Sequence, residues 1–150
     1  MPVYTLERRQ LVRMALPECW KFFSDPRNLA QITPPAMNFR LQHEVPSAVY
    51  PGMMISYKVT PLLGISIRWL TEITHVRAPE YFCDEQRRGP YRLWHHEHSF
   101  SRVSDQETEV HDLIHYAPPL GPCGAVLNRL VVRPQLERIF DFRRDVLARR

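Results

Sequence analysis

The sequence has no apolar run that approaches the roughly 20 residues needed to cross a bilayer. Residues 1–9 also lack the apolar core followed by small residues that marks a secretory signal. Only three cysteines occur, and no two of them have the Cys-x-x-Cys spacing: Cys19, Cys83 and Cys123. This set is neither a disulfide framework nor a thiolate zinc site. We therefore expect reduced cysteines in a cytoplasmic protein with no integral membrane segment.

Motifs for common cofactors and nucleophiles are missing as well. No GxGxxG sequence and no P-loop is present to cradle a phosphate. Ser24, Ser99 and Ser101 lack the surroundings of a nucleophile elbow. No zinc-finger spacing and no RNA-recognition signature occurs. The sequence therefore predicts no cofactor.

The net charge of +4 is modest, and the positive residues concentrate near the end of the chain. Acidic residues are interleaved among them at Glu137, Asp141 and Asp145. This mixing is typical of the solvated face of an amphipathic helix, so no nucleic-acid partner is predicted. The arginines concerned are Arg129, Arg133, Arg138, Arg143, Arg144, Arg149 and Arg150.

The chain is long enough to form a core without disulfides. A domain of its size, 150 residues, buries about 68–70% of its unfolded surface. We interpret residues 1–150 as one domain. Fourteen prolines fall mostly between periodic segments, which predicts many short elements joined by turns.

Hydrophobic periodicity predicts a strand, two short helices, consecutive strands and one long helix. The clearest strand runs from Ile65 to His75, where buried and exposed positions alternate. After Gly121 the apolar spacing becomes three and four, the period of a helix, and Pro134 is expected to kink it. This order predicts an α+β fold in which the last helix covers an antiparallel sheet. The other predicted elements are a strand over 4–12, short helices starting at Pro17 and over 26–31, and strands over 38–42, 53–60, 81–87, 93–103 and 109–116.

Several stretches of the chain resemble a known superfamily. They are residues 22–29 (FFSDPRNL) with 33–35 (TPP), 82–86 (FCDEQ) with 89–91 (GPY), 94–100 (WHHEHSF) and 112–116 (DLIHY). Together with the order of elements, they resemble the helix-grip superfamily SRPBCC, and within it a bacterial ligand-binding branch. The superfamily includes START lipid-transfer domains, birch-pollen-allergen-like proteins, polyketide cyclases and coenzyme Q-binding proteins. The resemblance implies a curved sheet wrapped around the long C-terminal helix, with two short helices after strand 1 and a START-like cavity for a ligand.

One face of the predicted strands combines polar and aromatic side chains. Since an unpaired buried polar group costs about 1–3 kcal/mol, such groups need partners or a ligand. His95 has the opposite parity and is expected on the outer face. The predicted cavity-lining residues are Tyr57, Trp69, Asp84, Gln86, Trp94, His96, His98, Phe100, Asp112 and Tyr116.

Three interpretations of these polar residues remain open. They can form an internal hydrogen-bond network beneath a pocket. They can instead fix the polar end of an apolar ligand. In a third interpretation, His96, His98 and Asp112 form a metal or acid–base site. The sequence favours the first two, because no HExxH-type motif accompanies the histidines, and it predicts no metal.

The predicted function is the binding or transport of a small hydrophobic ligand, which is lipid-like, aromatic or isoprenoid. The alternative is a cyclase, aromatase or hydrolase acting on an aromatic or polyketide-like substrate. In that enzyme His96, His98 and Asp112 are the acid–base groups and Tyr116 is a donor. A third hypothesis is an interaction protein that docks a partner through its basic C-terminal helix or a homodimer surface. Monomer and homodimer are both compatible with the sequence.

Overall fold

The structure is a computed structural model that describes residues 2–150, and at residue 62 the backbone alone. Among the described residues, no helix has the length and apolar character to span a membrane. The strands are β1 (Tyr4–Val12), β2 (Arg40–Leu41), β3 (Met54–Leu62), β4 (Ile65–Arg77), β5 (Tyr81–Arg88), β6 (Leu93–Ser104) and β7 (Glu107–Ala117). The helices are α1 (Leu16–Phe23), α2 (Gly124–Leu127) and α3 (Arg133–Ala148), with 3₁₀ segments at Pro26–Ile32, Pro35–Met37 and Gly121–Cys123.

All described strands form one antiparallel sheet in the order β1-β7-β6-β5-β4-β3-β2. From β2 to β7 each strand pairs with the next along the chain, and β1 returns to pair with β7. Register shifts occur between Val59 and Leu62, between Ile73 and His75, and between Arg102 and Ser104. Such irregularities bend strands and increase their twist, which helps the sheet to curve. The predicted α+β architecture of a curved antiparallel sheet and a long C-terminal helix is confirmed.

Helix α1 covers one end of the concave face. Pro17 stands in its first turn, where a missing N–H costs nothing, and Glu18 follows it at the positive end of the helix. The ring of Trp20 meets Phe82 and Phe100 edge-on, with centroids 5.9 and 5.8 Å away. These contacts place a packed aromatic core under α1.

The C-terminal helix is irregular in the turn before Pro134, the residue at which the sequence predicts a kink. A proline cannot donate a hydrogen bond to the carbonyl four residues earlier, here that of Leu130, and its ring crowds that carbonyl. The chain forms a wider π-helical segment at Asn128–Val132 and resumes as α3 directly afterwards. The helix therefore continues past the proline and carries Phe140 and Leu147 into the core.

Charge pairs attach α3 to the edge strand β1. Arg8 has the parity of the inward-facing residues of β1, and its Nη1 lies 2.9 Å from Asp141 Oδ1. Its other terminal nitrogen pairs with Glu137. Arg133, one turn earlier on α3, reaches the same Glu137 at 2.8 Å. These contacts join the helix to the edge strand of the sheet.

Candidate ligand-binding cavity

A cavity of about 370 Å³ lies between the concave face of the sheet and the C-terminal helix. Strands β3 to β6 form one wall, which includes Tyr57, Trp69 and Trp94. Apolar residues of the helical segments face them, among them Leu29, Ile32, Val132, Leu136, Ile139 and Phe140. The cavity therefore has mostly apolar walls contributed by both layers of the fold.

Six of the ten residues predicted to line a cavity lie on this wall: Tyr57, Trp69, Asp84, Trp94, His96 and His98. The other four, Gln86, Phe100, Asp112 and Tyr116, lie off the wall and have different surroundings. Strand parity, supported by the family resemblance, was the main basis for predicting these residues. Parity selects a face of a sheet, but it does not select which part of that face borders an open space.

Gln86 holds the turn beside the cavity wall through two hydrogen bonds to the backbone of Tyr91. Its Nε2 donates to the carbonyl oxygen of Tyr91 at 2.7 Å, and its Oε1 accepts from the Tyr91 amide at 3.1 Å. Tyr91 itself lines the cavity. A Cβ atom at Gly89 would lie 2.4 Å from Gln86 Oε1, so any other residue at position 89 would displace the Gln86 side chain. The pair fixes the β5–β6 turn and holds Tyr91 in place.

Phe100 and Tyr116 are buried in the packed core. Phe100 lies against Phe23 and Phe82, with ring centroids 5.3 and 6.1 Å away. The hydroxyl of Tyr116 donates to Asn128 Oδ1 at 2.7 Å, and both residues are buried. That bond joins the last strand to the π-helical segment. Asn128 carries no sequence signal that would have assigned it this partner.

Two aspartates and two histidines meet at the polar end of the cavity, and we call them the polar tetrad: Asp84, His96, His98 and Asp112. His96 Nε2 donates to Asp112 Oδ1 at 2.7 Å, and His98 Nε2 donates to Asp84 Oδ2 at 2.5 Å. The two imidazole rings stack with centroids 3.7 Å apart. The four side chains are only 7–14% exposed. The tetrad is thus a dense, nearly dry polar cluster, and Asp112 lies behind His96.

Burial and mutual charge set the protonation of the tetrad. Burial disfavours ionised Asp112, but the hydrogen bond from His96 and the charges of the histidines lower the pKa of Asp112 to about 2. Burial likewise acts against ionised Asp84, yet its hydrogen bond from His98 holds the pKa of Asp84 below its usual value. Burial and the charge of His96 lower the pKa of His98. At neutral pH both carboxylates are ionised and His98 is neutral.

We expect the depressed pKa of Asp112 to be visible in the acid stability of the protein. The carboxyl has a pKa near 2 when folded and an ordinary value of 3.8. Its stabilisation is therefore complete above pH 3.8 and is lost as the pH falls toward 2, a change of about 2 kcal/mol. Urea unfolding of wild type and Asp112→Asn in metal-free buffer between pH 2 and 6 measures it. The stability gap between the two proteins should narrow below about pH 4, and an unchanged gap at pH 2.5 would contradict the prediction.

Two further polar groups border the cavity. Trp69 was predicted there, and within residues 2–150 its buried Nε1 has no hydrogen-bond partner. Arg143 was interpreted as part of a solvated helix face, but it is half-buried and lines the cavity. Its guanidinium lies 4.8 Å above the ring of Phe140. Arg143 follows Leu136 by seven residues, so helical spacing alone would have placed it on the inner face.

A curved antiparallel sheet with a long C-terminal helix defines a class of fold, and comparison with known proteins confirms this class. No protein-family model and no curated protein matches the chain. The likeness to solved structures shows the START-like, helix-grip fold of SRPBCC proteins. The predicted resemblance is thus confirmed at the level of the fold.

Three solved structures illustrate this likeness. The Zhui aromatase/cyclase from Streptomyces sp. R1128 has a TM-score of 0.77 at 13% identity, covering 98% of this chain and 92% of its own. A START superfamily protein from Mycobacterium smegmatis has 0.71 at 12% identity, with 95% and 96% covered. Truncated norcoclaurine synthase from Thalictrum flavum has 0.69 at 10% identity, with 97% and 93% covered. At these identities the likeness shows the fold alone.

Proposed function

We propose that this protein binds or transports a small hydrophobic ligand, lipid-like, aromatic or isoprenoid, in the cavity between the sheet and the C-terminal helix. The observation that carries the proposal is the cavity of about 370 Å³ with mostly apolar walls and one polar end. Pockets for small molecules typically span about 300–1,000 Å³ and combine apolar walls with a few placed polar groups. The volume therefore suits a ligand at the small end of this range.

The aromatic wall favours a ligand with flat apolar parts. Tyr57 and Trp69 stack with centroids 5.8 Å apart and planes 15° apart, while Trp94 meets Trp69 edge-on at 5.2 Å. Aromatic rings offer large contact areas and prefer offset or edge-to-face neighbours. A norcoclaurine synthase structure of the same fold holds dopamine and hydroxybenzaldehyde, which are aromatic, in a chain 11% identical to this one. An aromatic group in this cavity is consistent with both observations.

The free indole N–H indicates that the ligand also carries a hydrogen-bond acceptor. Trp69 is only 9% exposed, and within residues 2–150 its Nε1 is without a partner. A buried donor without a partner costs about 1–3 kcal/mol. A ligand oxygen placed toward Trp69 would remove this cost. Arg143, which lines the cavity from the helix side, adds a positive charge that favours an oxygen with negative character.

A substitution that fills the cavity tests the proposal. Ile67 lines the cavity, and its neighbour Ser66 points outward from the same strand. Ile67→Trp should lower the affinity for the neutral fluorescent probe N-phenyl-1-naphthylamine by about tenfold or more, because the indole occupies ligand space. Ser66→Trp is the matched control and should bind as wild type does. Fluorescence titration measures the affinity, and circular dichroism checks the fold.

The result against the proposal is a clear one. If wild type does not bind the probe, or if both tryptophan variants bind it equally well, the cavity is not a binding site for apolar molecules.

Native mass spectrometry of protein purified from cells identifies the class of ligand. An apolar molecule retained by the protein should dissociate from wild type and be missing from Ile67→Trp. The same spectra distinguish monomer from homodimer. The oligomeric state and the cytoplasmic location both stay predictions.

A further inference from the structure

We propose that the polar tetrad holds a divalent first-row transition-metal ion at the end of the cavity. The ligands are His96 Nδ1, His98 Nε2 and a carboxylate oxygen of Asp84, and Asp112 orients His96 from behind. The sequence predicted no metal, and the metal interpretation of the sequence used Asp112 as a ligand instead of Asp84. This inference depends on the geometry of the tetrad and not on the identity of the hydrophobic ligand.

Distances among the three ligating side chains suit a shared cation. One ligand atom from each residue lies within 4.8 Å of the others. Asp84 Oδ2 is 2.5 Å from His98 Nε2 and 3.9 Å from His96 Nδ1. Two atoms that each bind zinc at about 2.1 Å lie at most about 4.2 Å apart, and typically 3.0–3.4 Å. The observed pair of distances brackets that range, so small side-chain rotations bring the three ligand atoms into place. Metal binding also moves the His98 proton from Nε2 to Nδ1, which lies 3.5 Å from Asp112 Oδ1 as its acceptor.

The distance of 3.9 Å between His96 Nδ1 and Asp84 Oδ2 also supports a cation between them. It is too long for a hydrogen bond between His96 Nδ1 and the carboxylate of Asp84. A cation between the two atoms, however, can reach both within ordinary coordination distances. The tetrad without a cation therefore leaves this contact unmade, and a metal ion completes it.

Asp112 lies on the side of His96 away from the proposed metal. Its hydrogen bond to His96 Nε2 is of the kind that metal-binding histidines make with a carboxylate. His96 Nε2 donates to Asp112 Oδ1 at 2.7 Å, which fixes the tautomer that leaves Nδ1 free for a metal. A carboxylate behind a ligating histidine orients the ring and raises its basicity. Asp112 is nine-tenths buried, so this hydrogen bond is well shielded from solvent.

The type of donor atom favours a divalent transition metal. Two imidazoles and one carboxylate form the set that binds such ions on one side and leaves coordination positions open. Asp84, His96 and His98 all border the cavity, so the open positions face the space where the hydrophobic ligand is proposed to lie. The ion would bind an oxygen at the polar end of that ligand.

Metal titration of the protein, first stripped with EDTA, tests the proposal with Zn²⁺ and Co²⁺ as probes. We expect wild type to bind one ion per chain by calorimetry, and bound Co²⁺ to show the visible bands of a nitrogen and oxygen site. His98→Gln and Asp84→Asn, which keep side-chain size, should each weaken binding by about 100-fold or more, since each removes one of three ligands. Asp112→Asn should weaken it by about 10–100-fold, as expected for an orienting partner.

The matched control is His95→Ala on the outer face of the same strand. His95 lies near a second set of donors, with Glu85 Oε1 at 2.9 Å and Cys83 Sγ at 3.6 Å. Loss of binding in His95→Ala, or a cobalt–thiolate band in the near ultraviolet, would assign the ion to that face and overturn the proposal. Failure of folded wild type to bind either ion saturably would overturn it too. Binding of N-phenyl-1-naphthylamine is scored separately, so the two proposals can fail independently.

Discussion

Asp112→Ala is expected to lower the free energy of unfolding by about 3–5 kcal/mol, because it leaves a buried donor without an acceptor and removes a carboxylate that offsets a buried guanidinium. Asp112 is 7% exposed and accepts the hydrogen bond of His96, which is 5% exposed. Without the carboxylate, His96 loses its acceptor, and Arg143 loses one of the two negative charges near it. Urea unfolding at pH 7 in EDTA, followed by circular dichroism, measures the difference.

Glu109→Ala on the same strand is the matched control for Asp112. Glu109 points outward and pairs with Arg9 at 3.0 Å, with both side chains 39–55% exposed. Exposed pairs of this kind contribute about 0–1 kcal/mol, so the control should remain close to wild type. If Asp112→Ala loses no more stability than Glu109→Ala, the tetrad is solvated in solution and our description of it as a dry cluster is wrong.

The strands and their order along the chain could be predicted from the sequence, because hydrophobic alternation and turn residues are local features. Alternation in residues 65–75 shows a half-buried strand without knowledge of its neighbours. The paired prolines and glycine–proline turns mark where strands end. The observed β4 runs to Arg77, slightly beyond the predicted end. Boundaries depend on pairing with β5, which is a long-range contact and leaves a weaker mark on the sequence.

The pairing within the tetrad could not be predicted from parity. Register places Asp84 directly opposite His96, and His98 directly opposite Asp112. The hydrogen bonds run along the diagonals instead, from His98 to Asp84 and from His96 to Asp112. Diagonal neighbours lie within reach of long side chains, and stacking of the two rings selects this set of partners. The metal interpretation of the sequence named Asp112 as the carboxylate ligand, whereas our proposal names Asp84.

Arg143 shows why a charged helix is easily misinterpreted. Its segment mixes acidic and basic residues, as solvated helix faces do. Most of those arginines are exposed or paired on the surface, for example Arg144, whose Nε lies 3.1 Å from Asp145 Oδ1. Arg143 instead lies on the stripe of Leu136 and Phe140, which faces the sheet. Position on the helix, and not the local mixture of charges, decides which arginine enters the cavity.

Phe100→Ala is expected to destabilise the protein by about 3–5 kcal/mol, the usual cost of truncating a buried phenylalanine. Phe100 is 2% exposed and its ring is surrounded by Trp20, Phe23 and Phe82. The covering element is α1, which lies over this end of the concave face and leaves the other end to the cavity. Removing the ring therefore creates a void among packed side chains, and urea unfolding reports the loss.

Tyr50→Ala is the control for Phe100, because this aromatic ring is 51% exposed. It should change stability by less than about 0.5 kcal/mol. The comparison also decides between two roles for Phe100 on the concave face. A side chain that borders an open cavity lacks contacts on one side, so its truncation costs less than truncation inside a packed core. A loss below about 1 kcal/mol for Phe100→Ala would place it on the cavity wall, as the sequence predicted, and not under α1.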